Sequence, residues 1–243
     1  MFDIIRNSQG EKLDFTFHPG SASNSWLIVL GHGVTGNKDR PFVVALAEAL
    51  SQAGIPALRV SFSGNGASEG RFVDSNITKE VADLGSVLDA AQDRKICYVG
   101  HSMGGAVGVL RAAQDTRIRL LVSLAGMVHT KDFAEREFGM VKPGEGFMWD
   151  NPACPLSQAY MDDLRKIGNV LPSASKITAP WLLVHGTEDD VVPIQDSRDI
   201  VAQAGRPKKL IELPGAGHVF AEGHSEPMVH AVVEWVRAET AKA

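Results

Sequence analysis

The sequence predicts an α/β protein: a mostly parallel, doubly wound sheet of eight strands, helices on both faces, and a cap inserted over one end. Three observations predict it. Short, continuously apolar runs alternate with amphipathic stretches of helical spacing, the pattern of repeated strand–helix units. Residues 127–179 break that alternation at a length too great for an ordinary connection. The run Gly100-His101-Ser102-Met103-Gly104-Gly105 stands where an apolar strand gives way to a helix.

The elements follow in order. Leu13, Phe15 and Phe17 alternate with Asp14, Thr16 and His18, as in a half-exposed strand that starts the sheet antiparallel. After a turn-rich 19–25, residues 26–30 are apolar throughout, which suits a strand covered on both faces. Helical spacing over 40–53 sets Phe42, Leu46, Ala49 and Leu50 on one side, and Gly54 ends it. A strand over 55–60 and a helix over 77–91 come next, the latter with Val81, Leu84, Val87 and Leu88 on its stripe. Strand 96–99, helix 106–113 and strand 120–125 complete the first part. Strands at 181–185 and 209–213 flank a helix over 195–204, and a last helix covers 226–238. The core is thus assigned to 1–126 and 180–243 and the cap to 127–179. The cap carries Phe133, Phe138, Phe147, Met148, Trp149 and Tyr160 and one expected helix, 157–167.

Composition excludes several classes. Of the 243 residues, 44% are apolar and 22% charged, ordinary for a globular domain. A net charge of −5 without a long basic run argues against a nucleic-acid partner or an anionic membrane surface. The two cysteines, Cys97 and Cys154, offer neither a zinc spacing nor a disulfide framework, so no metal is expected. Cys97 reads as a small buried hydrophobe. The start Met1-Phe2-Asp3-Ile4-Ile5-Arg6 lacks the pattern of a signal peptide, and no run is long enough to span a membrane. The expectation is a cytoplasmic protein, monomer or homodimer, without an organic cofactor.

A serine between glycines at a strand-to-helix junction reads as a nucleophile elbow. Side chains at positions 100 and 104 would collide with neighbouring chain, and the helix N-terminus favours a developing anion. A serine hydroxyl needs a base, and the base an orienting acid, each on a loop after a later strand. Gly215-Ala216-Gly217-His218 supplies the base after the last strand, with His224 as the rival. Glu188, Asp189 and Asp190, after His185-Gly186, supply the acid. Two backbone amides should receive the oxyanion: that of Met103, next to the serine, and that of Val34 in the glycine-rich Gly31-His32-Gly33-Val34-Thr35-Gly36.

Together these residues resemble the α/β-hydrolase family, and within it small capped esterases of the feruloyl/cinnamoyl type and peptidase-S33-like hydrolases. The likeness spans nearly the whole chain, through 32–38, 63–66, 100–105, 185–193 and 217–218. The resemblance implies the α/β-hydrolase fold, with Ser102 as nucleophile, Asp189 as acid, ahead of Asp190, and His218 as base. It departs at Ser61, where the family has aspartate, and at Ala67. By the same resemblance the cap would offer Trp149, Asp150, Gln158 and Tyr160 to the substrate. The expected activity is hydrolysis of a small-molecule carboxylic ester, short-chain or aromatic. Thioesterase, acyltransferase, peptidase and non-catalytic binding roles are the alternatives.

Overall fold

The computed structural model describes residues 3–22, 24–203 and 208–242. Met1 and Phe2, Ser23 of the expected turn and Ala204 at the end of an expected helix lie outside them. The chain runs β1 (Ile5–Arg6), β2 (Lys12–Leu13), β3 (Phe15–His18), β4 (Trp26–Gly31), α1 (Pro41–Gln52), β5 (Ala57–Val60), α2 (Ile77–Ala90) and β6 (Lys95–His101). It continues through α3 (Met103–Ala112), β7 (Ile118–Leu124), α4 (Thr130–Phe138), α5 (Gln158–Ile167), α6 (Leu171–Ala174), β8 (Trp181–Gly186), α7 (Ile194–Ala202), β9 (Lys208–Leu213) and α8 (Ser225–Thr240).

The main sheet has the order β3-β5-β4-β6-β7-β8-β9, antiparallel only where β3 meets β5. From β4 the chain steps to one side for β5 and then crosses back to the other side for β6. The carboxyl ends of β4 and β6 therefore flank the switch point where such sheets open a crevice. Gly31 pairs with Gly100 in register there.

Alternation along each strand splits the core into two. Leu27, Val29, Tyr98, Leu121 and Leu183 face α2, α3 and the insertion. Ile28, Leu30, Cys97, Val99, Leu182 and Val184 face α1 and α8. That double coverage is why these strands read as unbroken apolar runs. Each fully buried leucine contributes about 2 kcal/mol of transfer free energy. Cys97 is buried as expected.

Two expectations are corrected. The sheet holds seven strands among the described residues, not eight: β1 and β2 pair only with each other, Ile5 opposite Leu13. The turn between them closes through Gly10, whose φ of 81° suits glycine, and Ile5 and Leu13 bury in the core beside α2. The insertion contains three α-helices rather than one. In α4 only Thr130, Phe133, Ala134 and Phe138 are buried, a stripe too sparse to stand out in the sequence. Phe133, Phe138, Met148, Leu156 and Leu164 join the same core as α2 and α3, so the insertion packs on the body as a continuous layer.

Candidate active site

Ser102 sits between β6 and α3 with φ 54° and ψ −121°, a strained conformation for a non-glycine residue. Its backbone is held on both sides: its N–H donates to Leu124 O, and its carbonyl accepts from Gly105 and Met127. The glycines around it are sterically required. A Cβ on Gly100 would lie 2.1 Å from Gly104 O, and one on Gly104 would lie 2.5 Å from His32 O. Gly33 approaches so closely that a Cβ there would meet the Ser102 Cβ at 2.6 Å.

The loop after β4 is pinned by His32. This buried ring accepts the Phe62 N–H at Nε2, so Nδ1 carries the proton and donates to Gly33 O at 2.9 Å. Burial pushes its pKa down to about 4, which keeps the ring neutral. Gly33 O also accepts from Gly36. Across a trans peptide the C=O and N–H point in opposite directions, so fixing this carbonyl aims the Val34 N–H away from His32. Among the described residues neither the Val34 nor the Met103 amide donates within the protein.

His218 follows β9, and its Nδ1–H donates to Asp189 Oδ2 at 2.9 Å and Oδ1 at 3.1 Å. The Asp189 side chain is 0% exposed, whereas Glu188 and Asp190 face solvent. Asp189 Oδ1 also accepts from the Val191 and Val192 amides, and Oδ2 lies 3.2 Å from His185 Nε2. Burial alone would raise this carboxyl. The hydrogen bonds from His185, His218 and Val192 outweigh it and hold Asp189 well below the usual carboxylate range. His185 is held in turn by Ser197 Oγ at Nδ1. The rival His224 is half-buried and bonded to its own turn at Ala221 O.

A cavity of about 280 Å3 opens here, lined by Gly33, Val34, Thr35, Gly36, Arg40, His101, Ser102, Trp149, Val191, His218 and Val219. The structure thus brings Ser102, His218 and Val34 to one space, with Asp189 behind His218. Of the residues expected in a cap, Trp149 alone lines it. Its indole stacks edge-on against Phe138 at 4.9 Å and donates to Glu137. Tyr160 does not reach the cavity: it is buried, its ring against Phe138. Gln158 is exposed and bonded to Asp162, and Asp150 is exposed with φ 55°. None of these three lines the cavity: α5 turns Tyr160 to the body and Gln158 to solvent, and Asp150 lies in the turn before it. Arg40, Val191 and Val219 line the cavity without any signal in the sequence. His101, noted there only as part of the elbow, lines it too. Among the described residues no group of His, Cys, Asp and Glu is arranged to hold a metal. No helix among them is long and apolar enough to cross a membrane.

Comparison with known proteins places the chain among hydrolases of this fold. The chain is 28% identical over 220 residues to the uncharacterized protein Rv2307c of Mycobacterium tuberculosis, covering 88% of this chain and 71% of that one. It is 25% identical over 195 residues to the palmitoyl-protein thioesterase ABHD10 of Rattus norvegicus, covering 74% and 64%. Est1E from Butyrivibrio proteoclasticus, solved with ferulic acid bound, superposes with a TM-score of 0.85 at 28% identity, covering 98% of this chain and 99% of that one. A family model matches residues 28–232, from β4 with its glycine loop through the elbow and the His218 loop into α8. The chain belongs to the alpha/beta hydrolase family.

Proposed function

We propose that this hydrolase cleaves carboxylic esters through an acyl-enzyme on Ser102. The observation that carries the reading is His218, bonded through Nδ1 to the buried Asp189 while sharing one cavity with the strained Ser102. Ser102 Oγ attacks the ester carbonyl as His218 Nε2 takes its proton. The developing oxyanion accepts hydrogen bonds from the Val34 and Met103 amides, each a term of about 3 kcal/mol. His218 then protonates the leaving alcohol, and Asp189 stabilises the imidazolium between these transfers. Water activated by His218 hydrolyses the acyl-enzyme, which restores Ser102.

A cavity of about 280 Å3 lies at the small end of ligand sites, and Trp149 gives it an aromatic wall. Both favour a short or aromatic acyl group over a long chain. The ferulic acid in Est1E agrees with that preference. The name of the rat relative favours a second reading, the same chemistry on a thioester. The segment 127–179 acts as a cap in either case, because it delivers Trp149 to the cavity.

The test is hydrolysis of a p-nitrophenyl ester series from acetate to laurate, with methyl ferulate and a matched thioester. Wild type should turn over short or aromatic members, and Ser102→Ala should lose that activity by at least about a thousandfold. Equal activity in the two proteins would overturn the mechanism. A preference for the thioester would select the second reading.

A further inference from the structure

The charge at the candidate site is one-sided. Arg40 lines the cavity with Ser102, His218 and Trp149, and no aspartate or glutamate lines it. Arg40 is the residue before α1, and Pro41 at the helix start fixes the exit of the chain there. Its guanidinium makes one contact, Nη2 to Thr35 O at 3.2 Å. Among the described residues no carboxylate pairs with it. The neighbouring cations differ: Lys38 and Arg59 share Asp39, and Arg136 pairs with Glu137. The Arg40 charge also helps hold His32 and His101 neutral, after the larger effect of burial.

A guanidinium carries five N–H donors in a planar fork that matches a carboxylate. Here one N–H is spent on a carbonyl. The same cavity has apolar lining from Val34, Val191, Val219 and the Trp149 indole. A cavity with an apolar body, one unpaired cation and no anion accepts an ester whose acyl chain ends in a negative group.

Resting on the esterase reading above, we propose that Arg40 is a specificity residue that selects esters bearing a carboxylate on the acyl side. The substrate carboxylate pairs with the Arg40 guanidinium while its ester carbonyl lies at Ser102. The scissile bond and its chemistry are those already described, so Arg40 acts on binding and orientation and takes no proton.

The test compares p-nitrophenyl pentanoate with mono-p-nitrophenyl glutarate, two esters of equal chain length that differ by a methyl and a carboxylate. Wild type should favour the glutarate in kcat/KM by about tenfold, and Arg40→Gln should abolish that ratio. Arg40→Lys should keep part of it, and added salt should lower it in wild type. A wild type that favours pentanoate, or an Arg40→Gln variant with the wild-type ratio, overturns the proposal. A merely structural role at Thr35 would lower both rates together and leave the ratio in place.

Binding separates this proposal from the esterase reading. Glutarate and pentanoate are titrated against Ser102→Ala protein, with and without Arg40→Gln, and followed by tryptophan fluorescence, since Trp149 lines the cavity. If no ester is hydrolysed but glutarate binds more tightly through Arg40, the esterase reading falls and the carboxylate site stands. If esters are hydrolysed with no Arg40-dependent preference in rate or binding, the carboxylate site falls and the esterase reading stands.

Discussion

The Nε2 of His101 lies 2.9 Å from the backbone carbonyl of His218. His101 ends β6 and immediately precedes Ser102, while His218 lies beyond β9, so one hydrogen bond ties the elbow to the loop of the proposed base. The two rings also pack, with centroids 4.7 Å apart, and Phe42 closes on His101 at 4.7 Å. Burial, with the neighbouring His218, pushes His101 down to about 3, so it stays neutral with its proton on Nε2. His101→Phe keeps the ring and removes the donor. Its kcat on a p-nitrophenyl ester should fall about fivefold, the value of one hydrogen bond near 1 kcal/mol. An unchanged kcat would mean that Asp189 alone orients His218.

Asp189→Asn replaces an acceptor with a group that can donate to Nδ1 and so favours the wrong imidazole tautomer. The kcat should fall by about ten-thousandfold, while Asp190→Asn and Glu188→Gln, in exposed positions, stay within about twofold of wild type. Because the Asp189 pKa is lowered in the folded protein, its carboxylate stabilises the fold above the unfolded value near 3.8 and loses that effect as pH falls. The melting temperatures of wild type and Asp189→Asn should therefore differ at pH 7 and converge in strong acid. A gap that is constant with pH counts against this account.

Glu80 is a buried carboxyl on α2, and its Oε2 has no partner, as is true of the Tyr160 hydroxyl. Burial first, and the charge of Asp83 next, raise its pKa well above the ordinary value. The folded state then binds more protons than the unfolded chain, so stability falls as pH rises above about 4.5, by up to about 1.4 kcal/mol per pH unit. Glu80→Gln removes that loss. Thermal melts should show the variant gaining on wild type as pH rises above about 4.5, and a fixed difference would disprove the linkage.

Gly100→Ala tests the elbow. Its Cβ would stand 2.1 Å from Gly104 O, a backbone atom that cannot rotate aside. Destabilisation of about 3 kcal/mol or more is expected in urea unfolding, together with loss of ester hydrolysis. Gly144→Ala, where a Cβ would meet nothing within 4 Å, is the comparison, and its φ of 85° limits its cost to local strain. Equal stabilities for the two variants would mean that the junction relaxes freely.

The sequence by itself determined the parallel core and the junction at Ser102. The strands are buried on both faces, so their apolar runs are unbroken, and glycines stand at 100 and 104 because backbone passes within 2.5 Å of where a Cβ would be. Both are local constraints, written in residue type at the position that needs them. The parts decided only by tertiary structure depend on partners distant in the chain. Tyr160 is an aromatic residue of the insertion whichever way α5 faces, and its burial in the core beside Phe138 keeps it out of the cavity. Asp189 stands between two other acids, and the Val191 and Val192 amides with His185 and His218 turn it inward. Arg40 precedes an ordinary amphipathic helix, and nothing near it in the chain tells that it lines one cavity with Ser102. A side chain's direction is set by what it packs against, and those contacts exist only once the strands have been brought side by side.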